Sequence, residues 1–427
     1  MDIIDQHSFS TPAARDPNFG EDGVITLFNL KHALDLDRHV KGIQVLANDK
    51  LLVGAWLARD LKGLYGLARF NPDGSVDTAF ADNGLVHGNF AGGYDSAGGR
   101  LAVQPDGRIL MLGWSRKADS NSPKRLVICR FEKEGAVDES FGRQGCVIID
   151  NSTLGELVND SSTLQLHECG KIIIGATYRN GDTSTGLVVR IDTHGNLDKT
   201  FNKTGKLEIR HTAFSATSVH ALLAQIDGKV LVAGSAVNAV PETLGYVARY
   251  LQNGELDLDF GGEEMPGFST LNIPNGSVAI HDLVATGGGK VVGIGQASTA
   301  VRNWGLLAGL DSTGNPHPSF NGGRPVLTQF DAEHGNEWVC GHQQSDGKIV
   351  TAGGARRLYT ARYQANGLID RSFGEHGCIQ EDTALVTTPA QLQIQANGRI
   401  LLAGNTLGLG GALGHVYGYL HPEQASD

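Results

Sequence analysis

Ionisable side chains recur at corresponding positions of several apolar strand patterns in this chain. Arg100, Asp282 and His342 fall on the more polar face of three such patterns, and this face is expected to line a central channel. A guanidinium, a carboxylate and an imidazole in one cleft could bind a polar ligand or assist hydrolysis. The favoured alternative is a wet channel wall whose polar groups meet water. His220 and His281 lie at equivalent places on neighbouring repeats, but two histidines fall short of the three protein ligands of a catalytic zinc site. We expect these two to pack inside the fold, with a shared metal or a catalytic pair as the alternative.

Tryptophan offers a second kind of chemistry. The four tryptophans, at the ends of predicted strands, are Trp56, Trp114, Trp304 and Trp338. An indole presents a flat apolar face and one hydrogen-bond donor, which suits stacking on sugars or anchoring a peptide. The same residues could instead cover the end of the core. Because the loops at this end of the repeats vary in length and composition, we place any binding site there.

Catalytic and cofactor motifs do not narrow the choice further. The sequence has no G-x-S-x-G, H-E-x-x-H, P-loop or paired C-x-x-C motif. Each of these motifs places particular groups around a reacting atom, so their absence leaves no reaction class indicated. No cofactor is expected.

Repeats indicate which elements must position these residues. A motif of the type G-x-h-D-x-x-F, where h is apolar, recurs with its phenylalanine every 53 to 61 residues. The motif phenylalanines are Phe19, Phe80, Phe141, Phe201, Phe260, Phe320 and Phe373. A turn followed by a basic residue and an apolar strand alternates with this motif, as in QIDGKVLVA at 225–233. Strands ending in A-R-F or A-R-Y form a third element.

Each repeat holds four short strand patterns and none with a helical period. Four strands in about 60 residues match one blade of a propeller. We therefore predict an all-β fold, a seven-bladed β-propeller with four antiparallel strands per blade. A β-solenoid is the less favoured alternative, because its coils are usually ~20–30 residues long.

The order of the strand patterns predicts how the ring closes. The chain 1–427 is expected to form one domain that starts with an outer strand at 23–30 and ends with three inner strands at 391–420. The N-terminal strand would then complete the last blade and cover its open edge. The predicted modules are 31–91, 92–151, 152–212, 213–274, 275–330, 331–382, and 383–421 together with 16–30.

An aspartate three residues before the motif phenylalanine suggests calcium binding, but a structural role is favoured. A short carboxylate can organise the turn or pair with the arginine eight residues earlier in the chain. In the fifth copy both residues change together, to His317 and Gly309. Asp16 is an exception, because the matching position, Gly418, has no arginine.

Composition limits the partners. The net charge is -11, and clustered Lys and Arg are lacking, so nucleic acid is not an expected partner. No apolar run reaches 18 residues, so no membrane insertion is expected. The N-terminus lacks a signal-peptide pattern, so a cytoplasmic location is expected, with non-classical export as the alternative. The five scattered cysteines argue against a disulfide framework and suit a reducing compartment.

Together the motifs D-G-K, A-R-Y and G-x-L-D-x-x-F-G-x-x-G resemble the bacterial delta-60 repeat family. The resemblance runs from about Asp16 to Leu420, and the fifth copy departs from it most. It implies a β-propeller and a bacterial source, and it carries over no catalytic residue.

These observations favour a non-enzymatic scaffold that presents a tryptophan-bearing face to a protein or carbohydrate ligand. Arg100, Asp282 and His342 would add polar groups at the channel. The alternative is a hydrolase or lactonase with a metal or polar site at the channel mouth. A structural role in a larger assembly also stays open, and the sequence does not indicate the oligomeric state.

Overall fold

The computed structural model describes most of the chain. The described residues are 15–27, 37–59, 62–117, 121–158, 162–167, 169–238, 242–330, 333, 335–354, 357–381, 387–408 and 411–420. None of the helices found in these ranges has the length and apolar character needed to span a bilayer.

Regular structure within these ranges is almost entirely β-strand. The strands are β1 (Val24–Thr26), β2 (Asp37–Val45), β3 (Leu51–Arg59), β4 (Lys62–Phe70), β5 (Leu85–Gly88), β6 (Asp95–Val103), β7 (Ile109–Arg116), β8 (Arg125–Phe131), β9 (Cys146–Ile149), β10 (Glu156–Leu157), β11 (Thr163–Leu166), β12 (Ile172–Asn180), β13 (Thr183–Ile191), β14 (Lys206–Ile209), β15 (Phe214–Ala224), β16 (Val230–Asn238), β17 (Thr243–Tyr250), β18 (Phe268–Leu271), β19 (Gly276–Ala285), β20 (Val291–Thr299), β21 (Asn303–Leu310), β22 (Val326–Thr328), β23 (Trp338–Gln343), β24 (Ile349–Gly353), β25 (Leu358–Tyr363), β26 (Cys378–Glu381), β27 (Thr387–Ile394), β28 (Ile400–Gly408) and β29 (Gly411–Tyr419). Single-turn 3₁₀ helices lie at Phe90–Gly92, Ser152–Leu154 and Asn321–Gly323.

Local sequence explains the strands and their turns. Middle strands such as β7 are buried on both faces, which explains why they are apolar runs without alternation. Gly107 ends the turn before β7 with φ 88°, a conformation that side chains disfavour. At Gly135 (φ 96°), an added Cβ would lie 2.8 Å from the Phe80 ring. Glycine is therefore required there both for the turn and for close packing of successive repeats.

Hydrogen bonds join the described strands into six sheets. Four sheets have four strands each, namely β6–β9, β15–β18, β19–β22 and β23–β26. A fifth has five strands, because β10 and β11 both pair with β12. The sixth has eight, because one parallel bridge between Arg38 and Leu413 links β2–β5 to the set of β27–β29 and β1. The prediction of seven separate four-stranded blades is therefore wrong: the bridge merges two sets of strands, and an extra strand enlarges another.

The N-terminal strand closes the last set of strands. β1 pairs antiparallel with β29, placing Val24 opposite Tyr417. The backbone N–H of Asp16 also donates to the Gly418 carbonyl at 2.8 Å. Closure by an N-terminal strand is therefore confirmed, although β1 is shorter than the predicted segment 23–30, of which residues 28–30 lie outside the described part of the chain.

Apolar side chains pack in clusters between successive sets of strands. The first cluster joins Phe19 and Ile25 near the N-terminus to Val40 on β2 and Val416 on β29. The motif phenylalanines are at most 2% exposed, and each belongs to one such cluster. Their predicted role as anchors is confirmed.

The recurring aspartate holds two cations of its own repeat. Asp198 accepts hydrogen bonds from Arg190 Nε at 2.7 Å and lies 2.8 Å from Lys171 Nζ. The Arg190 guanidinium also packs on the Phe201 ring and donates to the Gln252 carbonyl in the next repeat. Burial acts to raise the pKa of Asp198, but hydrogen bonds from Lys171 and Thr200 and the charge of Arg190 hold it well below its usual value. The aspartates are therefore structural, as predicted.

The exceptional Asp16 has a substitute partner. Arg399, the basic residue of β28's turn, donates from Nε to Asp16 at 2.6 Å and lies 5.2 Å from the Phe19 ring centroid. The arginine missing at Gly418 is thus replaced from the neighbouring strand. In the fifth copy, Phe320 fills the space beside Gly309, where an added Cβ would lie 2.5 Å from its ring.

A disulfide corrects the expectation drawn from the cysteine count. Cys129 on β8 lies directly opposite Cys146 on β9, with a Cα–Cα distance of 4.1 Å, and the two form a disulfide. Cys169, Cys340 and Cys378 are free. The pairing joins neighbouring strands of one sheet, and a count of scattered cysteines does not reveal it.

Candidate functional site at the channel mouth

β-Bulges shape the wall of the central channel. The first strands of successive sets contact one another around this channel, and six of them shift register against their second strand. The bulges contain Lys41, Gly99 with Arg100, His220, His281, Val339 and Ala390. A bulge adds one unpaired residue to a strand and changes where its side chain points. These bulged residues form the candidate site, and we call the region around them the channel mouth.

A cavity of about 350 Å³ lies at the channel mouth. Four of the bulges contribute to its wall, through Lys41, Arg100, Val339 and Ala390. Trp114 on β7 lines it as well. Among the described residues no acidic side chain does so, so the charged groups of the wall are cationic.

Arg100 spans the mouth of the channel. Its Nη1 donates to the carbonyl of Ala390 on β27 at 3.1 Å, passing in front of β2. Gly42 on β2 leaves the room for this, because an added Cβ would lie 3.2 Å from the Arg100 Cα. Arg100 therefore lines the cavity at the channel mouth.

Asp282 has a different role from the one expected. Its carboxylate accepts hydrogen bonds from the backbone N–H of Gly341 on β23 at 3.0 Å and of Leu283 at 2.9 Å. Gln391 makes the equivalent contact with the Ile43 N–H at 3.0 Å. Burial raises the pKa of Asp282, against the charges of Arg100 and His342. Asp282 therefore links neighbouring strands at a bulge, with both oxygens already occupied.

Other polar groups at the bulges are also structural. Asn405 accepts from the Val40 N–H at 2.7 Å and donates to its carbonyl at 2.9 Å. Thr177 makes the same pair of contacts with Val219, at 3.0 and 3.2 Å. These side chains satisfy backbone groups that the bulge removes from the ladder. Sequence reasoning missed both, although a polar residue inside an apolar middle strand is the signal that could have found them.

Two of the three candidate histidines, His220 and His281, stack on each other, and the third is His342. His220 and His281 stack with ring centroids 5.3 Å apart, and His220 Nδ1 donates to the Ile280 carbonyl at 3.1 Å. Burial lowers the pKa of both, that of His281 to about 3, with the neighbouring ring adding to the effect. His342 Nδ1 donates to the Gln343 carbonyl at 2.8 Å. The pair thus packs as neutral rings.

A metal site is not formed by these groups. In the described ranges no three His, Cys, Asp or Glu residues are grouped so that they could hold a metal ion. Cys340, beside Asp282, is buried, and burial raises the pKa of its thiol far above the usual value. A buried neutral thiol is a poor nucleophile.

Trp56 and Trp114 lie at the channel-mouth end of neighbouring sheets and belong to one continuous patch. Asp95 joins them, accepting from the Gly63 N–H at 2.7 Å and from Arg116 Nη1 at 3.0 Å. Gly63 lies against Trp56, since an added Cβ there would be 2.1 Å from the indole Nε1. We call Trp56, Gly63, Asp95, Trp114, Arg116 and Lys124 the tryptophan patch.

Cations surround the tryptophan patch. Lys124 Nζ lies 4.0 Å from the Trp114 ring centroid and Arg116 Cζ lies 5.5 Å from it. Nearby, Lys62 Nζ lies 4.4 Å from the ring of the exposed Tyr94. Aromatic faces and positive charge are therefore presented together.

The other two tryptophans do not join this patch. Trp338 is fully buried between the rings of Phe330 and Tyr363, at centroid distances of 6.1 and 6.5 Å. Its expected ligand role is corrected, because no face of the ring is open. Trp304 is half-buried and packs against the core cluster of the fifth repeat.

Five segments of the chain match a family model described as a beta-propeller domain of unknown function, DUF5122. They are residues 46–80, 104–141, 170–201, 225–260 and 344–373. The chain thus carries β-propeller repeats. The count of five matched repeats also overturns the seven-bladed prediction. The unmatched copies are the fifth, which lacks the Arg–Asp pair at Gly309 and His317, and the one divided between the two ends of the chain.

Several solved structures are similar to this chain at low sequence identity. A polysaccharide lyase, Uly1, has a TM-score of 0.51 and 10% identity over 89% of this chain and 90% of that one. The WD40 domain of Toxoplasma gondii coronin has a TM-score of 0.47 and 10% identity, over 93% and 86%. A PQQ-bound aldose sugar dehydrogenase from Streptomyces coelicolor has a TM-score of 0.41 and 13% identity, over 84% and 97%. No curated protein matches the chain in sequence. The similarity to the lyase, at 10% identity, indicates the fold alone.

Proposed function

We propose that this chain is a non-enzymatic binding scaffold of the delta-60 repeat type, whose ligand, a protein or a glycan, contacts the tryptophan patch. The observation that carries the proposal is the continuity of this patch across two sheets. Asp95 accepts from Gly63 on β4, the strand paired with the one that bears Trp56, and from Arg116 on β7, which bears Trp114. Both indoles are therefore held on hydrogen-bonded strands. Rigid aromatic groups bind with little loss of conformational entropy.

Charge narrows the chemistry of the ligand. Counting only residues that the structure describes, the cations Lys62, Arg116 and Lys124 lie in or beside the patch together with the carboxylate of Asp95. A ligand that carries carboxylates next to apolar or sugar faces would meet both kinds of group. The whole chain is acidic, with a net charge of -11, so this local cationic character stands out.

The hydrolase or lactonase alternative has less support. Its carboxylate candidate, Asp282, already accepts two backbone hydrogen bonds, and its histidine candidates His220 and His281 stack on each other. A general base works best when its pKa lies near the operating pH, and burial lowers the pKa of both histidines away from that range. We therefore do not propose an enzymatic role, a nucleic-acid partner or membrane insertion.

The test measures retardation of the protein in gels that contain polygalacturonate, dextran or poly-L-glutamate. We expect retardation by one of the acidic polymers and none by neutral dextran. Changing Trp56→Ala and Trp114→Ala together should weaken this binding by at least about tenfold, as expected for central aromatic anchors.

The control is Ile226→Ala, which removes an exposed apolar side chain from the turn before β16, at the opposite end of the strands. It should leave binding unchanged. If the correctly folded double tryptophan variant is retarded as strongly as the unchanged chain, the tryptophan patch is not part of the binding surface.

A further inference from the structure

Arg100 is a partly buried cation that forms no salt bridge within the described part of the chain. Among the described residues, no Asp or Glu forms a salt bridge with it, and its guanidinium donates a hydrogen bond to the Ala390 carbonyl. The charge of Arg100 acts to lower the pKa of Asp282, but the hydrogen bonds of that carboxylate come from backbone N–H groups and not from the guanidinium. A cation held partly out of water is costly unless an anion balances it.

Other basic residues of the chain show the contrast. The repeat arginines Arg130, Arg190 and Arg249 each lie within 2.7 Å of an aspartate. Arg116, close to the channel mouth, is paired with Asp95. Arg100 therefore differs from these four arginines, each of which has an aspartate partner.

The cavity beside Arg100 has the form of a binding site. Its volume of about 350 Å³ is within the range of small-molecule pockets, which is roughly 300–1,000 Å³. Lys41 adds a second basic residue to its wall, and Ser162 and Thr388 add hydroxyl groups. Trp114 supplies an aromatic surface at one side.

Backbone geometry holds Arg100 in place. The bulge between Gly98 and Leu101 aims its side chain across the channel. The two preceding glycines admit no side chain, because an added Cβ would lie 2.6 Å from Met111 Sδ at Gly98 and 2.8 Å from the Leu112 carbonyl at Gly99. The guanidinium is thus preorganised by the sheet.

We propose that the channel mouth binds an oxyanion, a phosphate or carboxylate group carried by a small molecule, between Arg100 and Lys41. Arg100 donates to the oxyanion while keeping its contact with Ala390, and the lysine contributes charge. Trp114 packs against the rest of the ligand. The site lies inside the channel and takes a small molecule, so it goes beyond the macromolecular ligand of the tryptophan patch.

Calorimetric titration of the full chain tests this site with inorganic phosphate, acetate and glucose at constant ionic strength. We expect one or both anions to bind with one site per chain, and glucose not to bind. Phosphate binding tighter than acetate binding indicates a phosphate ligand, and the reverse order indicates a carboxylate. Failure of both anions to bind up to about 20 mM would overturn the proposal.

Substitutions of single residues test whether the anion binds at Arg100. Arg100→Gln should weaken binding at least about tenfold, and Arg100→Lys should weaken it less, because the charge is kept but the fork of donors is lost. The matched control is Arg302→Gln, an exposed arginine, which should bind like the unchanged chain. Equal binding by Arg100→Gln and Arg302→Gln would refute the assignment.

Two further measurements keep the test decisive. If Arg100→Gln does not fold, Lys41→Gln changes the other side of the same site and should also weaken anion binding. Lys124→Gln changes the tryptophan patch and should leave phosphate binding intact while it reduces retardation by acidic polymers. The two proposals can therefore fail separately.

Discussion

At the scale of single residues, the arginine of each repeat connects three features of the fold. Arg190 pairs with Asp198, packs on Phe201 and donates to the carbonyl of Gln252 in the next repeat. One side chain thus fixes a turn, the core beneath it and the contact between repeats. In the fifth copy the arginine and the aspartate are both replaced, by Gly309 and His317. Their joint loss agrees with the two residues acting as a pair.

Arg190→Met should destabilise the protein by about 3 kcal/mol, because it leaves the buried Asp198 carboxylate without its main partner. Urea unfolding followed by circular dichroism measures the loss. Lys171 remains near the carboxylate, which limits the effect. A change below about 1 kcal/mol would mean that the pair adds little to stability.

The matched control for this change is Arg210→Met. Arg210 also pairs with a carboxylate, Glu208, but both side chains are largely exposed. An exposed pair contributes less than about 1 kcal/mol. Comparable losses in the two variants would argue against burial as the source of the difference.

At the scale of strands, the bulges explain where sequence reasoning succeeded and where it did not. Alternation along the first strands correctly indicated one apolar and one polar face. A bulge inserts one residue, so the alternation reverses upstream of it. Alternation assigned His220 and His281 to the apolar face, but the structure shows that they are the bulged residues of their strands. It assigned Asp282 to the polar face, but this carboxylate contacts the neighbouring strand.

Motif-based predictions were more successful than those based on alternation. The pairing of Arg190 with Asp198 follows from their spacing, and both the spacing and the pairing recur in other repeats. The disulfide between Cys129 and Cys146 was missed, because it depends on the register of β8 and β9. Lys41 was missed as well, since nothing in its local sequence marks a bulge.

The stacked histidine pair should make stability depend on pH. The pKa of His281 is about 3 in the folded protein, against about 6.5 when unfolded. Between these pH values the unfolded chain binds a proton at His281 that the folded chain does not bind. The free energy of unfolding therefore falls as the pH decreases below about 6.5, and the contribution of this residue is fully present above that pH. His281→Phe should keep the stacking and reduce this loss.

Urea midpoints at about pH 7 and about pH 5 measure the difference. The original chain should lose more stability between the two conditions than His281→Phe does. His87→Gln serves as the control, because His87 is exposed on β5. An identical loss for His281→Phe and the original chain would exclude a contribution from the pair.

At the scale of the whole molecule, the closure of the ring by the N-terminal strand was easier to predict from the sequence than the number of blades. Strand order alone predicted that β1 would join β29, and this pairing forms. The division into separate sheets was not predictable, because one bridge between Arg38 and Leu413 merges two sets of strands. The family model likewise matches five segments and not the predicted seven.

Closure predicts that a short N-terminal segment is needed for the stability of the entire ring. Phe19 and Ile25 are at most 5% exposed in the core cluster that joins the first and last strands, and Asp16 pairs with Arg399 in the same region. Deleting residues 1–26 removes all three and leaves the edge of β29 open to other strands. The shortened chain should melt at a lower temperature and aggregate, as shown by calorimetry and light scattering.

Two further variants separate closure from a simple loss of chain. Deleting residues 1–14 removes nothing from β1 or from Phe19 and should leave the melting temperature unchanged. Phe19→Ala keeps β1 but creates a cavity in the closing cluster, and should cost about 3–5 kcal/mol. If the chain without residues 1–26 melts like the one without residues 1–14, the ring is held by β29 and β2 alone, through contacts such as the Arg38–Leu413 bridge.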